Sequence, residues 1–197
     1  MKNKKLLFVL LGFVAVLGLA ALLYPRLTAR YTPQQAASGQ SEAPEGSGTE
    51  TDVMEAPDFT VLDLDGEEVS LSDYFDKPVV VNFWATWCGP CKSELPAFDA
   101  VYQDYKDEVH FLMVNMTDGT RETVEGVKAF VSEGGYTFPV YFDTQQDAAG
   151  TYGVYSIPAT LFVQQDGGLI GGYIGAMEEQ TLREYLDALI AGELRAQ

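Results

Sequence analysis

The sequence of 197 residues predicts an α/β domain, a mixed central sheet flanked by helices, standing behind an N-terminal membrane anchor. Short apolar runs alternate with stretches of helical spacing from Ala56 onward, as strands and helices do in a layered domain. The only two cysteines, Cys88 and Cys91, stand where one apolar strand gives way to a helix. An uncharged run of nineteen residues, Leu6–Tyr24, precedes a polar stretch almost free of core residues.

That front segment predicts the domain organisation. Lys2, Lys4 and Lys5 make residues 1–5 a basic, cytoplasmic N-terminus. The run 6–24 would be about 28 Å long as a helix, close to the hydrocarbon thickness of a bilayer. It exceeds the apolar region of a cleaved signal peptide, no A-x-A cleavage site follows, and no cysteine follows to carry a lipid. The expectation is an uncleaved, single-pass signal anchor with the domain on the outer side. Residues 25–55, rich in Gln, Ser, Gly, Pro and Glu from Tyr31 on, read as a disordered tether with a reach of roughly 25–30 Å. Residues 56–197 then form the domain. Beyond residue 30 the chain carries 7 Lys/Arg against 29 Asp/Glu, a formal −22, which argues against binding nucleic acid or anionic lipid surfaces.

Within the domain, Phe59–Leu62 and Glu67–Leu71 flank Asp65-Gly66, a hairpin turn, and residues 72–75 suggest a short helical turn. Val79–Trp84 is a buried strand interrupted only by Asn82. Pro90–Tyr105 has helical spacing, with Leu95, Phe98, Val101 and Tyr102 on its apolar side. Val109–Asn115 is a second buried strand, Glu122–Glu133 a helix closed by Gly134-Gly135, and Tyr136–Phe142 a third strand. Asp147–Tyr152 is a short helix stopped by Gly153. Ala159–Val163 and Leu169–Ile174 pair antiparallel across "QDGG", and Glu178–Ala191 closes the domain as an amphipathic helix.

The cysteine spacing points to redox chemistry. A helix start presents free N–H groups and partial positive charge, which stabilise a thiolate. Cys88 lies nearest that start and is expected to be the exposed nucleophile; Cys91, one turn deeper, is expected to resolve the mixed disulfide. Pro90 suits an early helix position, Gly89 leaves room for a partner backbone, and Trp87 is expected on the exposed apolar rim. A zinc site needs about four ligands, and two Cys with His110 do not supply them, so no metal is expected. A structural staple over so short a loop would remove little chain entropy.

"VNFWATWCGPCK" (Val81–Lys92) resembles the thioredoxin active site, and "SIPATLFV" (Ser156–Val163) resembles that fold's cis-proline segment. With the N-terminal run, "APDFTVLDLDG" (Ala56–Gly66) and an extra helix–strand unit between Thr117 and Phe142, the chain resembles the membrane-anchored TlpA-like thiol-disulfide oxidoreductases. That group includes the extracytoplasmic reductases of cytochrome c maturation. The resemblance spans Ala56 to about Ala191. It implies a thioredoxin fold with an N-terminal β-hairpin and a central helix–strand insertion, and a cis bond at Ile157–Pro158. It also implies no cofactor beyond the redox-active disulfide Cys88–Cys91. Ile157 would pair its backbone with a bound peptide beside Pro158. The implied partners are disulfide-containing extracytoplasmic proteins, apocytochrome c among the candidates, and a membrane thiol-disulfide electron carrier; the implied place is the outer face of a bacterial cell membrane.

Two positions qualify the match. Thioredoxins place a buried Asp where this chain has Asn82, which cannot take a proton. The maturation reductases use a Glu three residues after the second cysteine, and Glu94 stands there, on the helix face of Cys91. Burial would raise its pKa and fit it to deprotonate Cys91 during resolution. Gly89-Pro90 between the cysteines resembles the reducing thioredoxins, so a reductase of protein disulfides is expected, with a disulfide-forming oxidase as the alternative. A peroxidase would need Thr where Ala85 stands, and a copper-delivery module would pair its cysteines with a His outside this spacing.

Overall fold

The computed structural model describes residues 54–194. The expected basic N-terminus, the membrane span and all but the last two residues of the expected tether lie outside the described residues. Among the described residues no helix is long and apolar enough to cross a membrane.

Seven strands form one mixed sheet: β1 (Thr60–Leu62), β2 (Glu68–Ser70), β3 (Val79–Trp84), β4 (His110–Asn115), β5 (Val140–Phe142), β6 (Ala159–Val163) and β7 (Leu169–Ile174). Their spatial order is β2-β1-β5-β4-β3-β6-β7. The helices are α1 (Gly89–Tyr105), α2 (Val124–Gly134), α3 (Asp147–Thr151) and α4 (Glu179–Ile190), with a single 3-10 turn at Leu71–Tyr74. β3 pairs parallel with β4 and antiparallel with β6, so the strand that leads to the cysteines lies between the strand after α1 and the strand after Pro158. All six residues of β3 are buried, as expected of a strand covered on both faces.

The pleat of β3 divides the core. Val80 and Trp84 join Leu95, Phe98 and Val101 of α1 and Leu182, Leu186 and Leu189 of α4 in one cluster. Val79, Val81 and Phe83 join Phe59, Val61, Leu71 and Ala148 in the other. Asn82 shares the first face, which aims a polar side chain at the underside of α1. The insertion expected between Thr117 and Phe142 is α2 with β5. β5 carries the N-terminal hairpin, since Leu62 of β1 registers with Phe142 of β5. Gly66 closes that hairpin at φ 85°, a conformation the absent Cβ permits.

Three boundaries differ from the sequence reading by two residues or more, and several others by one. Pairing starts before Ala56: Glu55 bridges Gly168, and Leu169 N–H donates to Met54 O at 2.7 Å. α2 starts at Val124, not Glu122, because Thr123 caps it, its Oγ1 accepting the Gly126 N–H at 3.2 Å. β5 starts at Val140, not Tyr136. The Thr137 N–H is taken by Asp99 Oδ1 at 2.6 Å instead of a ladder partner, and Tyr136 stacks on Phe138.

Candidate active site

β3 ends at Trp84, and the chain turns once before α1, with Cys88 N–H donating to Ala85 O at 3.1 Å. Cys88 is the N-cap of α1, its Sγ accepting the Cys91 N–H at 3.1 Å. Gly89 and Pro90 fill the first two helical positions. A Cβ at Gly89 would meet nothing within 4 Å, so the space beside the pair is open to a partner backbone. Cys88 and Cys91 are joined in a disulfide. Cys88 keeps 5% of its surface and Cys91 none, so the first cysteine is the accessible one. It is less exposed than its place at the helix start suggests, because Ile157 lies against it, with Ile157 O 3.7 Å from Cys88 Sγ. The Ile157–Pro158 bond is cis. Trp87 is 42% exposed beside the pair, and Trp84 is buried in the core.

One helical turn past Cys91 lies a small buried polar cluster. Glu94 is 2% exposed. Its Oε1 accepts from Asn82 Nδ2 at 2.9 Å and its Oε2 from the Met177 N–H at 2.8 Å. Asn82 Nδ2 also donates to Thr160 Oγ1 at 3.1 Å, whereas Asn82 Oδ1 is buried without a partner. Burial pushes the Glu94 carboxyl up from 4.5 to about 7, against the two hydrogen bonds that favour its charge. A group titrating near neutrality can both take and return a proton at working pH.

Thr160, Met177, Glu122 and Arg121 are the site residues that sequence reading missed. Thr160 was reachable: it sits two residues after Pro158, and the antiparallel register of β6 sets it opposite Asn82. Met177 contributes only a backbone N–H from the connection between β7 and α4, and no side-chain pattern marks it. Glu122 lies just outside the helix its spacing suggests. It is 1% exposed and accepts from the Thr86 N–H at 2.6 Å, Thr86 Oγ1 at 2.7 Å and Asn115 Nδ2 at 2.8 Å. It thus fixes the turn two residues before Cys88. The Arg121 guanidinium lies 3.8 Å over the Trp87 ring. His110 lies away from this cluster, with Nε2 2.7 Å from Asp76 Oδ1.

A disulfide capped by a helix start, with a backbone carbonyl waiting beside it, suits exchange with a partner's thiolate when oxidised and with a partner's disulfide once reduced, and on this sheet it defines a thioredoxin-like thiol-disulfide oxidoreductase. The chain belongs to the AhpC/TSA family, whose profile matches residues 54–170. It is 39% identical over 132 residues to the thiol-disulfide oxidoreductase ResA of Bacillus thuringiensis, covering 67% of this chain and 75% of that protein. It is 32% identical over 194 residues to ResA of Bacillus subtilis, covering 98% of each. The fold is similar to the crystal structure of the pneumococcal exposed lipoprotein thioredoxin Etrx1 from Streptococcus pneumoniae. That match has a TM-score of 0.60 at 32% identity and covers 68% of this chain and 100% of that one.

Proposed function

We propose that the protein is a reductase of protein disulfides outside the cytoplasm, held to the membrane by its apolar run 6–24 and acting in cytochrome c maturation. The observation that carries the mechanism is Glu94, buried one helical turn past Cys91 and titrating at about 7. In the reduced protein the Cys88 thiolate attacks the substrate disulfide. One substrate sulfur leaves as a thiolate and takes a proton, and the other is held in a mixed disulfide. Glu94 accepts the Cys91 proton. The Cys91 thiolate then attacks Cys88 Sγ, the second substrate thiol leaves, and the Cys88–Cys91 disulfide seen here is the product. Two electrons pass from the dithiol to the substrate. Ile157 pairs with the substrate backbone beside Pro158, and Trp87, Gly89 and Pro90 form the rim it meets.

The reducing direction is supported by the Gly89-Pro90 pair and by the need for a nearby membrane thiol carrier to recharge a protein that has no soluble donor outside the cell. An exposed lipoprotein among the similar folds supports the location. The test is trapping with Cys91→Ser, which keeps the attacking Cys88 and cannot resolve. Mixed disulfides with exported proteins and with a membrane carrier are expected. A midpoint potential well above about −200 mV would instead mark an oxidant.

A further inference from the structure

The insertion places a preformed loop beside the cysteine pair. Asp118 Oδ1 accepts three backbone N–H groups, from Thr120 at 2.8 Å, Arg121 at 2.7 Å and Glu122 at 3.0 Å. The Gly119 N–H donates to Glu122 O at 2.9 Å and closes the loop on itself. The buried Glu122 side chain then anchors it to Thr86, in the turn that leads to Cys88. Loop and turn are therefore held together on two sides of one residue, Arg121, which remains exposed.

The guanidinium of Arg121 stacks over Trp87, the residue directly before Cys88. Stacking uses the flat face of the group and leaves its edge N–H donors free. Among the described residues no carboxylate lies within salt-bridge distance of it, and its side chain makes no hydrogen bond. Asp118 is near enough for its carboxyl to feel the charge, but that carboxyl is held low first by the Glu122 and Thr120 N–H groups. In a domain of strong net negative charge, a fixed cation with unused donors stands at the rim of the redox pair. A surface of this net charge disfavours an acidic partner on average, so an oriented cation at the rim biases where such a partner sits; exposed Lys92, directly after Cys91, adds a second positive charge nearby.

We propose that Arg121 is a specificity-determining residue, which receives a carboxylate of the polypeptide substrate close to the cysteine that Cys88 attacks. The planar fork of a guanidinium fixed on Trp87 matches a carboxylate in two parallel hydrogen bonds. Trp87 thereby serves as the shelf that orients the cation. The substrates are polypeptide disulfides with Asp or Glu beside the reacting cysteine. This rests on the reading of the protein as a reductase of protein disulfides.

The test uses the reduced full-length chain in detergent and two disulfide-linked peptides, identical except for Glu or Gln on both sides of the cysteine. The Glu peptide is expected to be reduced with a kcat/KM roughly two- to fivefold higher, the range of one exposed ion pair, and the preference should shrink with salt. Arg121→Gln should erase the preference and Arg121→Lys should keep part of it. Reduction of the small uncharged 2,2′-dithiodipyridine should be the same in all three proteins. An equal preference in Arg121→Gln overturns the proposal. So does a uniform slowing of both peptides and the small disulfide, because the cation would then act on the Cys88 thiolate and not on the substrate. Failure to reduce either peptide while the small disulfide is reduced would sink the protein-reductase reading, and the inference with it.

Discussion

Replacing Glu94 by Gln removes a proton site and keeps its volume. The wild-type carboxyl has an ordinary value of 4.5 and is raised to about 7 in the fold, burial being the cause. Below pH 4.5 it is protonated in both folded and unfolded chains and adds no pH dependence. Between 4.5 and 7 the folded state keeps a proton that the unfolded chain releases, so stability falls as pH rises. Above 7 both states are ionised and the loss is complete. At roughly 1.4 kcal/mol per decade the interval gives about 3 kcal/mol. Glu94→Gln should lack this slope. It should also carry a pH-independent cost of about 1 kcal/mol, because Asn82 Nδ2 and the Met177 N–H then share one acceptor where the carboxylate offered two. Guanidinium unfolding of the oxidised proteins at pH 4.5, 6 and 8 measures both terms. The wild type should lose about 3 kcal/mol relative to the variant from the lowest pH to the highest. A difference that stays flat across this range would refute the raised pKa, and with it the case for Glu94 as the proton acceptor of Cys91.

Other outcomes follow from the same packing. Glu122→Ala leaves the Thr86 N–H and Asn115 Nδ2 without their acceptor in the interior, and should cost roughly 2–4 kcal/mol in chemical denaturation. Phe98→Ala opens a cavity between α1 and the sheet at a fully buried site and should cost about 3–5 kcal/mol by the same measurement. Trp87→Ala removes an exposed side chain and should change stability by less than about 0.5 kcal/mol. Steady-state kinetics on a protein disulfide should nevertheless show a raised KM, because the rim and the support for Arg121 are both lost.

The centre of the sheet was legible because β3 and β4 are apolar on both faces, and its outer strands because their turns carry Gly. Val79–Trp84, Ala159–Val163 and Leu169–Ile174 have the bounds their patterns suggest. The cysteine pair was legible because two residues three apart at a strand–helix junction have one plausible chemistry. The buried state of Glu94 was an expectation from a single helical turn, and its partners are what make it stable there. Those partners lie 12 and 83 positions away in the chain, where spacing carries no information. Glu122 shows the opposite failure. An acid beside a helix start resembles ordinary first-turn charge, and only the fold reveals that Thr123 is the cap and that the carboxylate is turned inward to Thr86.

Asn82 gives the buried site a property that an aspartate there would deny it. With Glu94 ionised, the amide meets it through Nδ2; the opposite end, Oδ1, is unused. A half-turn of the amide would present Oδ1 instead, and that oxygen can accept the O–H of a protonated Glu94 and the hydroxyl of Thr160. One neutral, reversible neighbour therefore suits both the charged and the uncharged acid. Two carboxyls in this space would repel when both ionised and would titrate as a coupled pair with two apparent values. In the oxidised protein, where the cysteines carry no proton, a single acid beside a neutral amide gains and loses its proton in one step, and the midpoint of that step belongs to Glu94 alone.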